Sequence, residues 1–227
     1  MITCLTQVRI GSQRLPGKSL FPICDRPLFL FHLDRIKKAC KVTNFAVLTS
    51  CNPRDDIIEY LCEKESIDCF RGEENDVLHR FYSYVSKSSV QYFVRTTGDC
   101  PFICNKLLDK MIEHYLNHLG DYDYMSNIIK QSYPYGVHIE IFTRQAIIRA
   151  HSETRSSYDR EHVTPYIYNN PDKFKVFNYK NNCNLTNFRL AIDTIEDYKF
   201  ISQIFSGLNN NYNANFLDAV KFIKETT

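Results

Sequence analysis

A chain of 227 residues can bury roughly two-thirds of its unfolded surface, so neither disorder nor a disulfide-stapled miniature organises it. The formal charge of +2, from 28 basic and 26 acidic residues, leaves no long electrostatic footprint for nucleic acid, and an anionic ligand must be held by a local cluster. Nine irregularly spaced cysteines and a start without a basic-then-apolar leader point to a reducing, cytoplasmic setting; the most apolar stretch, Leu20 to Leu33, is broken by Pro22, Asp25, Arg26, Pro27 and His32 and predicts no membrane insertion.

Ile2 to Val8 reads as a strand, followed by a polar, glycine-punctuated loop from Arg9 to Lys18. Pro27 suits a first helical turn, with Phe29, Leu33, Ile36 and Cys40 at helical spacing after it. Asn44 to Thr49 is a second strand. Asn52-Pro53 caps a helix whose inner face is Ile57, Ile58, Leu61 and Cys62. A short strand at Cys69-Phe70, a helix with Val77, Leu78, Phe81 and Val85, a strand from Val90 to Thr96 and a helix through Leu107 to Tyr115 complete a βαβ series.

The second half changes character. Tyr122 to Ser126, Val137 to Phe142 and Phe174 to Asn178 read as strands around a turn-rich Tyr133-Pro134-Tyr135-Gly136, and Thr143 caps a helix through Ala150. The expectation is one domain over 1–227 in which residues 121–180 contain an arm or subsidiary sheet. Phe188 to Ile192 returns to core-strand character, Thr194 and Asp197 form an acidic variant of the capping box, and an Asn-rich loop from Asn209 to Asn215 precedes a last helix, Phe216 to Lys224.

The loop after the first strand brings Arg9, Arg14 and Lys18 within ten residues, beside Ser12, Gly11 and Gly17. Ligands of open α/β sheets sit beyond the carboxyl ends of strands, and such cations with backbone donors suit phosphates; an ordinary solvated loop is the plain alternative. The spacing from Gly11 to Gly17-Lys18 fails the Walker A pattern, and Pro16 removes a donor. Asp99 and Asp193 each follow a predicted strand and can converge on Mg²⁺, although a turn residue and a residue before a helix cap explain them as well. Glu140, Arg160 and His162 are charged or polar groups in apolar surroundings, fit for a hydroxyl-rich substrate or for internal pairing. His114 and His118 lack a third metal ligand, and Cys100 and Cys104 lack zinc spacing.

Taken together, Arg9 to Lys18, Phe70 to Leu78, Arg95 to Pro101, Arg160 to Tyr166 and Arg189 to Thr194 resemble the cytidylyltransferases of the SpsF spore-coat polysaccharide type, relatives of the acylneuraminate and 3-deoxy-manno-octulosonate enzymes. The match spans nearly the whole chain in motif order. It implies a GT-A-like, Rossmann-like α/β nucleotidyltransferase with a mostly parallel central sheet and a smaller dimerisation arm. It implies CTP, Mg²⁺ and a sugar acceptor, with the product used in surface glycan assembly. By the same resemblance Arg14 and Lys18 hold the triphosphate with Arg9 and Ser12 in the same loop, and Asp99 and Asp193 bind the metal. Thr49, Arg71 and Arg95 lie near the nucleotide, and Glu140, Arg160 and His162 approach the sugar. Gln13 stands where the family usually has threonine, and Gly98-Asp99-Cys100-Pro101 departs from the acid-sugar branch, which leaves the acceptor class open. A GT-A glycosyltransferase, with Asp121-Tyr122-Asp123 as its metal motif, and a non-catalytic nucleotide- or sugar-binding partner are the rival readings.

Overall fold

The computed structural model describes residues 1–226, and its elements follow the apolar periodicity of the chain closely. The first half runs β1 (Ile2–Gln7), a 3₁₀ turn at Lys18–Leu20, a two-residue ribbon β2 (Pro22–Ile23) and β3 (Arg26–Pro27), and α1 (Leu28–Ile36). It continues through β4 (Asn44–Ser50), α2 (Asp56–Lys64), β5 (Asp68–Gly72), α3 (Val77–Val85), β6 (Tyr92–Thr97) and α4 (Asn105–Asn117). The second half adds β7 (Tyr124–Ser126), β8 (Glu140–Thr143), α5 (Arg144–Glu153), α6 (Ser157–His162), α7 (Pro165–Tyr168), β9 (Val176–Asn178), α8 (Ile195–Gly207) and α9 (Phe216–Thr226). Two of the caps read from the sequence are present, whereas Asn52 accepts from the Arg54 amide and caps a 3₁₀ turn, Pro53–Asp55, ahead of α2, whose own start has no side-chain cap. Thr143 accepts from the Ala146 amide, and Thr194 and Asp197 close a reciprocal capping box at α8.

Seven strands form one sheet in the order β5-β4-β1-β6-β8-β7-β9. The first four are parallel; β8 enters antiparallel to β6, β7 antiparallel to β8, and β9 parallel to β7. The strands of 121–180 are therefore not a subsidiary sheet: β8 pairs directly with β6, and the apolar alternation of Tyr124, Met125, Ile141 and Phe142 serves the same two faces as the first half. Within Phe188 to Ile192, Leu190, Ala191 and Ile192 are buried, but the segment makes only a single bridge, between Tyr135 and Arg189, and is no strand of the sheet. On α2, Ile58 and Cys62 face inward, whereas Ile57, one step round the helix, is 39% exposed. Cys40 lies beyond the end of α1 and is exposed.

Each sheet face has its own core. Cys4, Val47, Val94 and Ile141 pack under α1, α4, α8 and α9, while Leu5, Leu48, Phe93 and Phe142 pack under α3, α5 and α7. Burial on both faces explains why these strands read as nearly continuous apolar runs. Phe102 stacks on Phe205 at 4.4 Å with both rings buried, tying the turn after β6 to α8.

The loop after β1 is held from outside itself. Asp55, buried before α2, accepts from the Ile10 amide at 2.8 Å through Oδ1, and from the Thr49 hydroxyl and Ser50 amide at 3.1 Å through Oδ2, which also takes the Ser50 hydroxyl. The Gly17 amide bonds back to the Ile10 carbonyl at 3.0 Å, and a positive φ of 75° at Gly17 turns the chain into the 3₁₀ segment that begins with Lys18. Asp55→Ala leaves four donors without their acceptor and is expected to lower the unfolding free energy by about 3 kcal/mol. Urea denaturation measures this, and an unchanged midpoint and slope contradict it.

Candidate active site

β1 and β6 pair in register, Gln7 opposite Thr97, so the loops that follow them leave the same edge of the sheet side by side. Between them lies a cleft of about 330 Å³, lined by Arg9, Ser12, Gln13, Arg14, Lys18, Thr97, Asp99, Glu161, His162 and Asp193 among others. Position relative to the strand ends is that expected of a ligand site in an open α/β sheet.

Lys18 is the centre of the cleft floor. Its Nζ donates to Asp99 Oδ2 at 2.6 Å, to the Ile192 carbonyl at 2.7 Å and to Asp193 Oδ1 at 2.8 Å, using all three protons. Burial works against the ammonium charge, but the Asp99 and Asp193 carboxylates outweigh it and hold Lys18 above the ordinary lysine value. Burial likewise opposes ionisation of Asp99, yet Lys18, with Thr97 and Cys100 as hydrogen-bond donors, carries its pKa down to about 2. Asp99 is thus a permanent anion, suited to holding a cation and unsuited to taking a proton at neutral pH.

Asp193 is braced from three more directions. Arg14 Nη2 lies 3.0 Å from Oδ1, Arg189 Nη2 donates to Oδ2 at 2.5 Å, and the Tyr135 hydroxyl is 3.4 Å from Oδ2. Arg189 also donates to Asp197 at 2.9 Å and lies 4.3 Å from the centre of the Tyr135 ring. Three cations, Lys18, Arg14 and Arg189, face three carboxylates, Asp99, Asp193 and Asp197. Gly136 allows the close approach behind them: its φ is 98°, and a Cβ there would lie 2.5 Å from the Ala191 nitrogen.

A second cavity of about 330 Å³ joins the cleft, and Thr97, Asp99 and His162 line both. Arg95 and Glu140, opposite one another across β6 and β8, form a buried ion pair in its wall. Arg95 also donates to Gln7 Oε1 at 3.0 Å, because Gln7 lies two residues past Arg95's β1 neighbour Leu5 and so shares its face. Glu140 accepts from the buried Tyr124 hydroxyl at 2.6 Å. His138, Tyr158 and Tyr168 complete the polar and aromatic lining; burial lowers the pKa of His138, which favours a neutral ring.

The family model for cytidylyltransferases matches residues 3–221. The chain belongs to the cytidylyltransferase family. It is 39% identical over 202 residues to an uncharacterized protein of Methanocaldococcus jannaschii, covering 88% of this chain and 81% of that one. It is 32% identical over 211 residues to the spore coat polysaccharide biosynthesis protein SpsF of Bacillus subtilis, covering 90% and 86%. The solved structure of a cytidylyltransferase from Leptospira borgpetersenii superposes with a TM-score of 0.94 at 35% identity, over 99% of this chain and 94% of that one.

Of the residues that the cytidylyltransferase resemblance nominates, Arg9, Ser12, Arg14, Lys18, Asp99 and Asp193 line the cleft, and Arg95, Glu140 and His162 line the second cavity. Arg95 therefore lines the second cavity and not the cleft itself, its position fixed by pairing with Glu140. Thr49, Arg71 and Arg160 line neither. Thr49 is buried against Asp55; Arg71 is held by Asp56 and Glu59 at 2.7 Å; Arg160 is held by Asp76 at 2.6 Å. Asp121-Tyr122-Asp123 precedes β7, which runs parallel to β6, so it lies at the opposite edge of the sheet from Asp99. No group of three or more metal-ligating His, Cys, Asp or Glu side chains occurs among the described residues. Asp99 and Asp193 nevertheless fit a hard dication: both present carboxylate oxygens to one cationic atom, and Mg²⁺ usually takes one or two carboxylates with water and phosphate oxygens completing its shell.

Sequence reasoning does not single out Arg189, Tyr135, Asp55 or His32 as parts of the site. Arg189 sits four residues before Asp193, a spacing that is suggestive only once the segment's path is known. His32 is fully buried on α1, with Nδ1 3.0 Å from the Cys100 carbonyl and Nε2 3.1 Å from Thr96 Oγ1. A carbonyl only accepts, so Nδ1 carries the proton, Nε2 accepts from Thr96, and Thr96 in turn accepts from Thr6 at 3.0 Å. This chain fixes the turn bearing Asp99.

Burial lowers the His32 pKa from 6.5 to about 4, against the opposing pull of the Cys100 carbonyl. The unfolded chain therefore takes up this proton at a higher pH than the folded one. Folding stability from this group is complete above about pH 6.5 and falls, as pH drops towards about 4, by about 3 kcal/mol. Denaturation curves across that window should show His32→Gln losing about that much less than the wild type; parallel pH profiles contradict the assignment.

Proposed function

We propose that the protein transfers the cytidylyl group of CTP to a sugar, releasing pyrophosphate, in the supply of activated sugar for a surface polysaccharide or glycan. The observation that carries this reading is the pair of joined cavities, one walled by the cationic loop after β1 and the other by aromatic and hydrogen-bonding side chains. Membership of the cytidylyltransferase family and identity with SpsF support the chemistry and its setting.

In this reading the triphosphate lies along Arg9, Ser12 and Arg14, and the acceptor sugar occupies the cavity of Glu140, His138 and Tyr158. Arg14, whose side chain is 63% exposed, is the cation freest to turn towards phosphate oxygens. Lys18, with all three protons engaged, acts by setting the spacing and charge of Asp99 and Asp193. Those two carboxylates would hold Mg²⁺, which when bound supplies charge stabilisation for the triphosphate. The acceptor hydroxyl attacks the α-phosphorus where the cavities meet, its proton passing to water, and the oxygen bridging to the β-phosphorus leaves with pyrophosphate.

A cytoplasmic setting, where thiols stay reduced, belongs to this reading and suits the nine free cysteines. β9 is an edge strand of the sheet and can pair with its copy, so a homodimer through residues 121–180 belongs to the same proposal; sedimentation of the purified chain tests it.

Titration calorimetry with CTP, UTP, ATP and GTP, each with and without Mg²⁺, tests the reading. Selective, Mg²⁺-dependent binding of CTP is expected, and a folded protein that binds no triphosphate overturns it. In a pyrophosphate-release assay over a panel of sugars, Asp99→Asn should cut turnover by at least about a hundredfold with the fold intact. Undiminished turnover at saturating Mg²⁺ removes Asp99 from the metal site.

A further inference from the structure

A third cavity, of about 400 Å³, is used by none of the roles above. It lies between the start of α4, the start of α9 and the segment from Tyr179 to Asn182. Lys106, Lys110 and Lys180 stand in its wall, and no acidic side chain lines it. The side chains of these three exposed lysines make no ion pair or hydrogen bond with the described residues. This contrasts with the cleft, where each carboxylate is matched by a cation.

The placement of Lys106 and Lys110 is unfavourable for the helix that carries them. They are one turn apart on α4, a spacing at which like charges repel, and Lys106 stands in the first turn, at the positive end of the helix dipole. That turn contains no acidic residue, and Cys104 provides no side-chain cap for its amides. Cys104, Lys106 and Leu107 all face the cavity, so the uncapped turn borders it.

Tyr133 adds an independent observation. The residue is 6% exposed, its hydroxyl has no hydrogen-bond partner in the protein, and it lines this cavity. Burial raises its pKa to about 12, reinforced by Tyr179 and Cys104, which are cavity walls too, so the phenol remains a donor. No group of the described residues pairs with this hydroxyl and it is not closed off from solvent, so it is free to donate to an occupant of the cavity. Phe216, edge-on to the Tyr133 ring at 5.9 Å, and Leu107 give the cavity an apolar side.

We propose that this cavity is a second ligand site, distinct from the cleft, for a small phosphorylated molecule whose phosphoryl group is held by Lys106, Lys110, Lys180 and the Tyr133 hydroxyl. Its uncharged part lies against Leu107 and Phe216. Tyr133 is two residues before Tyr135, whose backbone bonds to Phe188 and Leu190 on the way to Asp193. An occupant therefore sits at the far end of the segment that braces the cleft.

Calorimetric titration with inorganic tripolyphosphate tests the site on four purified proteins: the wild type, a Lys106→Ala/Lys110→Ala/Lys180→Ala triple variant, Arg14→Ala, and a control triple variant at the exposed Lys37, Lys87 and Lys199. The expected result is a binding event that survives Arg14→Ala and the control substitutions and weakens at least tenfold in the cavity variant. Tyr133→Phe should weaken the same event severalfold. Binding that is unchanged in the cavity variant, equally weakened in the control, or absent from Arg14→Ala overturns the proposal.

Discussion

The ammonium of Lys18 ties together, through side chains, three stretches of chain that meet at the carboxyl-terminal edge of the parallel strands. The loop after β1 contributes the lysine, the turn after β6 contributes Asp99, and the single-bridge segment before α8 contributes the Ile192 carbonyl and Asp193. Such a cluster has an asymmetric energetics. Desolvating the charges offsets much of their attraction, but removing one partner strands the others and typically costs about 3–5 kcal/mol. The cleft can therefore keep its shape only while the charges balance, and a polyanion entering it must draw on the most exposed cation, Arg14, before disturbing the buried ones.

Strand parity then divides the labour around that cluster. On β6, Thr96 points towards α1, where it hands a hydrogen bond to His32 and so steadies Cys100 and Asp99. Arg95 points to the other face and, with Glu140 from antiparallel β8, forms the wall of the second cavity. Entry of β8 next to β6 in the reverse direction is what delivers Glu140 to the carboxyl-terminal edge of the parallel strands. The antiparallel half of the sheet thus adds Glu140 to the second cavity, while the parallel half carries the cationic loop after β1.

Much of this was legible in the chain because it is local. Three cations with two glycines in ten residues mark the loop, and Asp99 and Asp193 stand out because each follows an apolar run. What escaped is long-range. Lys18 reads as a free cation until its partners 81 and 175 residues away are known. Phe188 to Ile192 reads as a strand because burial of Leu190, Ala191 and Ile192, not laddering, makes it apolar. Asp55 looks like a helix-start acid, yet it anchors the Ile10 amide 45 residues back. The neighbours of Arg95 and Arg160 depend on which strand or helix packs beside them, and no spacing within either motif encodes that.

A double-mutant cycle on unfolding free energy, built from Lys18→Met, Asp193→Asn and the combined variant, tests most directly whether Lys18 and Asp193 hold the site together. The structure predicts a coupling of about 2 kcal/mol, with each single variant costing more than the pair's additive share. Additive effects, within about 0.5 kcal/mol, would mean that the two side chains do not depend on one another and that the cleft is held by other contacts.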